Sequence, residues 1–334
     1  MRQKLFTLFW LALAVSSMSV AVEPGKVTGG KIYNIPSWFT ESFLDIGEDV
    51  EEAGDEDKKV LLFFHLDGCP YCDAMLKQNF AGGDNKGFIE ENFSVIAVNI
   101  KGDREITMPD GEGMSEKDLA KLLGVKYTPT IVFLDKGGKQ IFRTNGYRNP
   151  SLFGHTVEYV AKNQVGQQTL NQFIAGKTQP SYQFVEHDML TSTTDLSGFS
   201  DPVLMLFEDQ RCTGCTAVHE KLLNRDNVRD ELDKFLFVRF DADSEQPITW
   251  FDGSKVTPKQ VAEQHDLSYR PGFLLFDKGQ KIIEIDNRLY SFHFNAVLSF
   301  VSGRNYETHD DFNAYRNALQ TKMLEQGIDV NMMD

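Results

Sequence analysis

The chain has 334 residues, 41% hydrophobic and 25% charged, with a net charge of −15 at pH 7. At roughly 100–200 residues per domain the length suggests two domains, each large enough to bury its own core. The acidic balance argues against nucleic acid as a partner, since that needs clustered Lys and Arg against phosphates, and it disfavours anionic membrane surfaces.

At the N-terminus Arg2 and Lys4 precede an apolar run over 5–15, and Ser19 and Ala21 stand where a signal peptidase reads small residues. Residues 1–21 therefore read as a secretory signal peptide. The run is too short for a membrane span, which takes about 20 residues. No later segment is apolar enough to cross, and no Cys stands near the cleavage site to carry a lipid anchor. The mature chain is expected in the periplasm, without stable membrane insertion.

The acidic stretch 41–57 reads as an exposed helix; a disordered acidic segment is its alternative. The continuous apolar run Val60-Leu61-Leu62-Phe63-Phe64 reads as a buried central strand. Cys69-Pro70-Tyr71-Cys72 follows, then a helix over 73–80 and a strand over 94–100. A helix over 116–123 opens with Ser115 as N-cap. After Pro129 come strands over 130–134 and 139–144, then a helix over 152–162. The segment 176–180 is a plausible boundary. It separates a first domain, 32–178, from a second, 181–334.

The second half repeats this order. Cys212 and Cys215 stand 143 residues after Cys69 and Cys72, and Pro271 stands 142 after Pro129. Phe133-Leu134-Asp135-Lys136-Gly137 recurs as Leu275-Phe276-Asp277-Lys278-Gly279 at the same 142-residue offset. One small indel over so long a stretch means two duplicated units, and a solenoid would have a period of about 20–50 residues. The repeat predicts strands over 203–207, 235–240, 273–276 and 281–286, with helices over 216–223, 258–265 and 294–302. Phe312, Tyr315 and Leu319 are spaced to pack a C-terminal helix on the second unit. The expected fold class is α/β, with two tandem domains, each a central mixed sheet flanked by helices.

All four cysteines lie in two C-x-x-C pairs. A bridge between residues three apart closes too small a loop to staple a fold, and the spacing is that of a redox dithiol. A Cys at the first turn of a helix meets unpaired N–H groups and the positive end of the helix dipole, which favour the nucleophilic thiolate. This makes Cys69 and Cys212 the exposed nucleophiles and Cys72 and Cys215 the resolving thiols. Pro70 suits the first helical position.

Apolar strand, Cys-Pro-Tyr-Cys, helix, then Tyr127-Thr128-Pro129-Thr130 resembles the thioredoxin superfamily. The motifs LLFFHLDGCPYC, GVKYTPTIVFLD and FRTNGYRNP are similar to those of periplasmic thioredoxin-related proteins, including some encoded beside sulfur-oxidation genes. Cys-Pro-Tyr-Cys also resembles the glutaredoxin site and that of some bacterial disulfide isomerases. The likeness covers residues 38–178 and, through the repeat, 181–320. It implies that Pro129 and Pro271 are cis and face the Cys pairs, and that Thr128 and Arg270 offer backbone hydrogen bonds to a docked substrate chain. Thioredoxins carry a buried Asp six residues before the first Cys, where this chain has Phe63 and Leu206. His65 and Glu208, each four residues before its Cys, are candidate substitutes, or they merely line the loop. Arg270 is unusual before the proline; it either stabilises a thiolate or obstructs docking.

His219 follows Cys215 by four residues, but too few ligands gather for zinc, so it reads as a surface histidine and no metal or cofactor is expected. The resulting expectation is an exported thiol–disulfide oxidoreductase exchanging with protein substrates and a redox partner protein. It should be a monomer, with two unequal sites, acting as reductase or isomerase rather than oxidase. The alternative is a binding or chaperone-like protein whose Cys pairs are structural or vestigial.

Overall fold

The computed structural model describes residues 23–334; the expected signal peptide lies outside the described residues. The first unit contains α1 (Ile46–Asp55), β1 (Lys59–His65), α2 (Pro70–Met75), α3 (Asn85–Asn92), β2 (Phe93–Asn99), α4 (Glu116–Leu122), β3 (Thr130–Leu134), β4 (Gln140–Asn145), α5 (Pro150–Ala161) and α6 (Leu170–Ala175). Its sheet runs β2-β1-β3-β4. β2 is parallel to β1 and the other two pairings are antiparallel, so the sheet is mixed.

The second unit contains β5 (Val203–Glu208), α7 (Cys215–Ala217), α8 (Asp226–Leu232), β6 (Leu236–Asp241), α9 (Pro258–Gln264), β7 (Gly272–Asp277), β8 (Gln280–Ile285), α10 (Ser291–Ser302) and α11 (Phe312–Glu325). Its sheet order, β6-β5-β7-β8, repeats the first with the same parallel and antiparallel pairs.

The apolar runs form central strands because both sheet faces are covered. Leu61 and Phe63 pack with the Cys pair and α5, while Val60, Leu62 and Phe64 pack with α1 and α4. Side chains alternate along a strand, so His65 at the end of β1 stays on the Cys-pair face. Glu208 at the end of β5 likewise continues the face of Leu204 and Leu206.

The acidic segment is less exposed than its composition suggests. Ile46, Val50 and Ala53 form a stripe that α1 buries against the sheet, with Asp45 capping Gly47 and Glu48. The acidic residues between them occupy mainly the opposite face. Both helices after the Cys pairs run into a π-helical turn, Leu76–Phe80 and Val218–Leu222. Ser115 caps α4, and Thr257 with Gln260 forms a capping box on α9. α11 packs as its spacing implied, with Tyr315 against Phe300 at 5.4 Å between ring centroids.

Val27–Thr28 pairs in parallel with Val330–Asn331, joining the two ends of the described chain. Gly25 lies so close to this junction that a Cβ there would stand 2.3 Å from the Ile328 carbonyl oxygen. No helix among the described residues is long and apolar enough to cross a membrane.

Candidate active sites

In the first unit, Gly68 at φ 80° turns the chain out of β1 and leaves Cys69 as N-cap of α2, with Pro70 in its first turn. Cys69 is joined to Cys72 in a disulfide. Its Sγ accepts the Cys72 backbone N–H at 3.0 Å. Thr128 precedes Pro129 across a cis peptide bond. The Thr128 hydroxyl donates to Cys69 Sγ at 3.4 Å, and its carbonyl oxygen lies 3.5 Å from that sulfur. Cys69, Cys72, Thr128 and Pro129, distant in sequence, thus converge, and the two donors would remain to solvate a thiolate on reduction.

At the end of β1 His65 is buried, and its Nδ1 is 3.1 Å from the Tyr33 hydroxyl. That hydroxyl gives its proton to the Leu66 carbonyl at 2.7 Å, so Nδ1–H must be the donor to Tyr33. Burial pushes the His65 pKa down, against the opposing pull of Asp67. A neutral ring with a free Nε2 follows.

In the second unit Cys212 and Cys215 form the equivalent disulfide at the start of α7. The Arg270–Pro271 bond is cis. A Cβ on Gly214 would stand 3.6 Å from the Arg270 carbonyl oxygen and 3.8 Å from Pro271 Cδ, so the proline loop sits directly on the Cys turn. The Arg270 guanidinium donates to Asp209 Oδ2 at 3.0 Å and to the Leu267 carbonyl at 2.8 Å. Its charge is thereby committed to Asp209.

Beneath this pair Glu208 is fully buried. Its Oε1 accepts from the Tyr182 hydroxyl at 3.2 Å and stands 2.9 Å from His219 Nε2. Its Oε2 has no hydrogen-bond partner among the described residues, and Arg239 approaches only to 3.9 Å. His219 is therefore no surface histidine: it is buried, with Nε2 paired to Glu208, while its Nδ1 has no hydrogen-bond partner among the described residues. Tyr182 packs against both cysteines, and burial pushes its phenol up to about 12.

Tyr33 and Tyr182 play matching parts that sequence reasoning missed. Each comes from the segment leading into its unit, which hydrogen-bonds to the Cys turn through Lys31 N to Gly68 O and through Tyr182 N to Gln210 O. Tyr33 stands 36 residues before Cys69 whereas Tyr182 stands 30 before Cys212, so the repeat offset does not align them.

The family model of the thioredoxin-like domain matches residues 46–161 and again 192–301. The chain belongs to the thioredoxin-like domain family. Solved structures similar to it include a thioredoxin-fold protein from Helicobacter pylori, 31% identical over 36% of this chain and 84% of that one, TM-score 0.32. A thioredoxin from Thermus thermophilus is 26% identical over 35% and 83% of the two chains, TM-score 0.28. A disulphide isomerase from Xylella fastidiosa Temecula1 is 17% identical over 43% and 96%, TM-score 0.27. Comparison with curated proteins returns no match. Two thioredoxin-like domains, each with a C-x-x-C pair at a helix start, form the arrangement of a thiol–disulfide oxidoreductase.

The two thioredoxin-like domains bury each other's sites. Tyr71, inside the first Cys pair, stacks on Tyr290 of the second domain at 4.9 Å. Its hydroxyl accepts the Tyr290 N–H at 2.9 Å and lies 3.2 Å from His293 Nδ1. Thr213, inside the second Cys pair, accepts from Asn149 of the first domain at 3.0 Å. Fully buried Arg148 donates to Asp286 at 2.6 Å, and Asp286 in turn accepts from the backbone of Ser268 and Tyr269, just before the second cis-proline.

The expected exposure of the nucleophiles is not found: Cys69 is 6% and Cys212 5% exposed. A cavity of about 360 Å³ opens onto Cys69, floored by the first domain and closed by α10 and α11 of the second. Cys212 faces a much smaller one of about 60 Å³ beside α5 and α6.

Proposed function

We propose that this chain is an exported thiol–disulfide oxidoreductase that exchanges with protein substrates, as reductase or isomerase rather than oxidase, and works as a monomer. The observation that carries the reading is the convergence of the Cys72 N–H and the Thr128 hydroxyl on Cys69 Sγ beside a cis-proline. These donors favour the thiolate, the species that attacks a disulfide.

In the reducing direction Cys69 S⁻ attacks one sulfur of the substrate disulfide. A mixed disulfide forms and the other substrate sulfur leaves as thiolate, taking a proton. Cys72, deprotonated in turn, attacks Cys69 Sγ, releasing the second substrate thiol and closing the Cys69–Cys72 disulfide. Two electrons pass to the substrate. The Thr128 backbone, and that of Arg270 in the second domain, would pair with the substrate chain as an added strand. Neutral His65 and buried Glu208, on the Cys-pair face of their sheets, are the proton acceptors we assign to Cys72 and Cys215. A redox partner protein must then re-reduce the pair.

The resemblance to periplasmic proteins that keep thiols reduced supports the direction, and the N-terminal pattern over 1–21 supports export. Burial of both Cys pairs favours the second reading, a binding or chaperone-like protein with structural disulfides. Insulin reduction and reactivation of scrambled ribonuclease separate the two. Wild-type protein should be active and Cys69→Ser should lose the first domain's contribution. Wild-type protein inert in both assays would overturn the proposal.

A further inference from the structure

The cavity in front of Cys69 has a charge opposite to that of the chain. Lys101, Lys126, Arg288 and Arg316 line it, against the carboxylates of Asp67 and Glu284. Glu284 is already paired with Lys281 outside the cavity. None of the four cations forms an ion pair among the described residues; Arg288 instead lies over the rings of Tyr147 and Tyr290, at 5.9 and 5.0 Å. In a chain of net charge −15, four cations against two carboxylates around one thiol site are a local reversal. Such a cleft concentrates anions whatever the overall charge.

Size restricts the occupant further. About 360 Å³ lies at the lower end of the range for small-ligand sites, roughly 300–1,000 Å³. Residues of α10 and α11 bound its far side, which restricts the approach of a folded protein to Cys69 more than that of a small molecule.

We propose that the first site also takes a low-molecular-weight disulfide carrying carboxylates, held by Arg288 and Arg316 with its sulfur against Cys69. The inference rests on the reading of Cys69 and Cys72 as an exchanging pair. In the step, Cys69 S⁻ attacks one sulfur of the small disulfide and expels its partner as a thiolate, which takes a proton. Cys72 then attacks Cys69, the second small thiol leaves, and the protein pair is oxidised by two electrons while one disulfide becomes two thiols. Arginine is suited to the anchoring role because its planar fork can bind a carboxylate through two charge-assisted hydrogen bonds.

The test uses three disulfides of similar size and different charge: anionic dithiodipropionate, neutral bis(hydroxyethyl) disulfide and cationic cystamine. Each is mixed at pH 7 with the reduced full chain carrying Cys212→Ser and Cys215→Ser, so that thiol loss reports Cys69 and Cys72 alone. Rates are normalised to those of dithiothreitol. The anionic disulfide should react at least about tenfold faster than the cationic one, roughly the value of one charge-assisted contact. Arg288→Gln and Arg316→Gln should each shrink that ratio by slowing the anionic disulfide more than the neutral one. A ratio near one, a ratio favouring cystamine as the net charge alone would dictate, or a ratio untouched by either substitution overturns the inference, although the oxidoreductase reading survives. Reaction with none of the three, and no insulin reduction, would remove both.

Discussion

Arg148 of the first domain and Asp286 of the second form a 2.6 Å ion pair in which the arginine side chain is only 1% exposed. Asp286 also receives the backbone N–H groups of Ser268 and Tyr269 at 2.7 Å. The pair therefore bolts the domains together and positions the loop that carries Arg270 and Pro271. Breaking a buried pair from one side is costly because the remaining charge loses its partner. Arg148→Met should destabilise the protein by about 3 kcal/mol, near the lower end of the roughly 3–5 expected for such losses, since Asp286 keeps its backbone donors. Denaturant unfolding measures it. A loss below about 1 kcal/mol would mean that the pair does not hold the interface.

A pH dependence follows from His293. Burial, with a smaller contribution from Arg316, lowers its pKa from 6.5 to about 4. The unfolded chain takes up this proton as pH falls through about 6.5, whereas the folded chain resists it down to about 4. The stability contribution is therefore complete above about 6.5 and is lost progressively between 6.5 and 4. At 1.36 kcal/mol per pKa unit the full loss is about 3 kcal/mol. His293→Asn, which keeps an acceptor for the Tyr71 hydroxyl, should flatten the change in unfolding free energy between pH 7 and 5. An unaltered slope would show that the other buried histidines carry it.

Glu208 gives a kinetic prediction. If it takes the proton from Cys215, Glu208→Gln should leave attack by Cys212 intact and slow release of the mixed disulfide by about 100-fold, the lower range for a positioned general base. Mass spectrometry of quenched reactions should then find substrate accumulating on Cys212. Release at the wild-type rate would reduce Glu208 to a structural carboxylate.

The duplicated fold was legible because its strongest signals are local and periodic. Uninterrupted runs such as 60–64 and 203–207 can be buried on both faces only as central strands, and the Cys and Pro spacings fixed their order. Helices α3 and α8 were not legible, since their buried apolar residues are few, Ile89 in α3 and Val228 with Leu232 in α8. The Cys pairs and cis-prolines came from motif and resemblance. The covering of the first site did not, because it depends on Tyr290, His293 and α11 meeting a domain more than 200 residues earlier. His219 was misread for a related reason: helical spacing places it near Cys215 but cannot reveal that Glu208 lies beneath it. Tyr33 and Tyr182 contact their sites from segments whose unequal spacing escapes the repeat.

Redox titration of the two pairs tests the central claim most directly. The full chain is equilibrated in defined glutathione buffers, quenched by alkylation and quantified separately for Cys69/Cys72 and Cys212/Cys215. An exchanging protein should show both pairs passing from disulfide to dithiol within the buffer range, at two different potentials, because Pro70-Tyr71 beside Thr128 and Thr213-Gly214 beside Arg270 solvate their sulfurs differently. Both pairs remaining oxidised throughout would contradict it and make the disulfides structural.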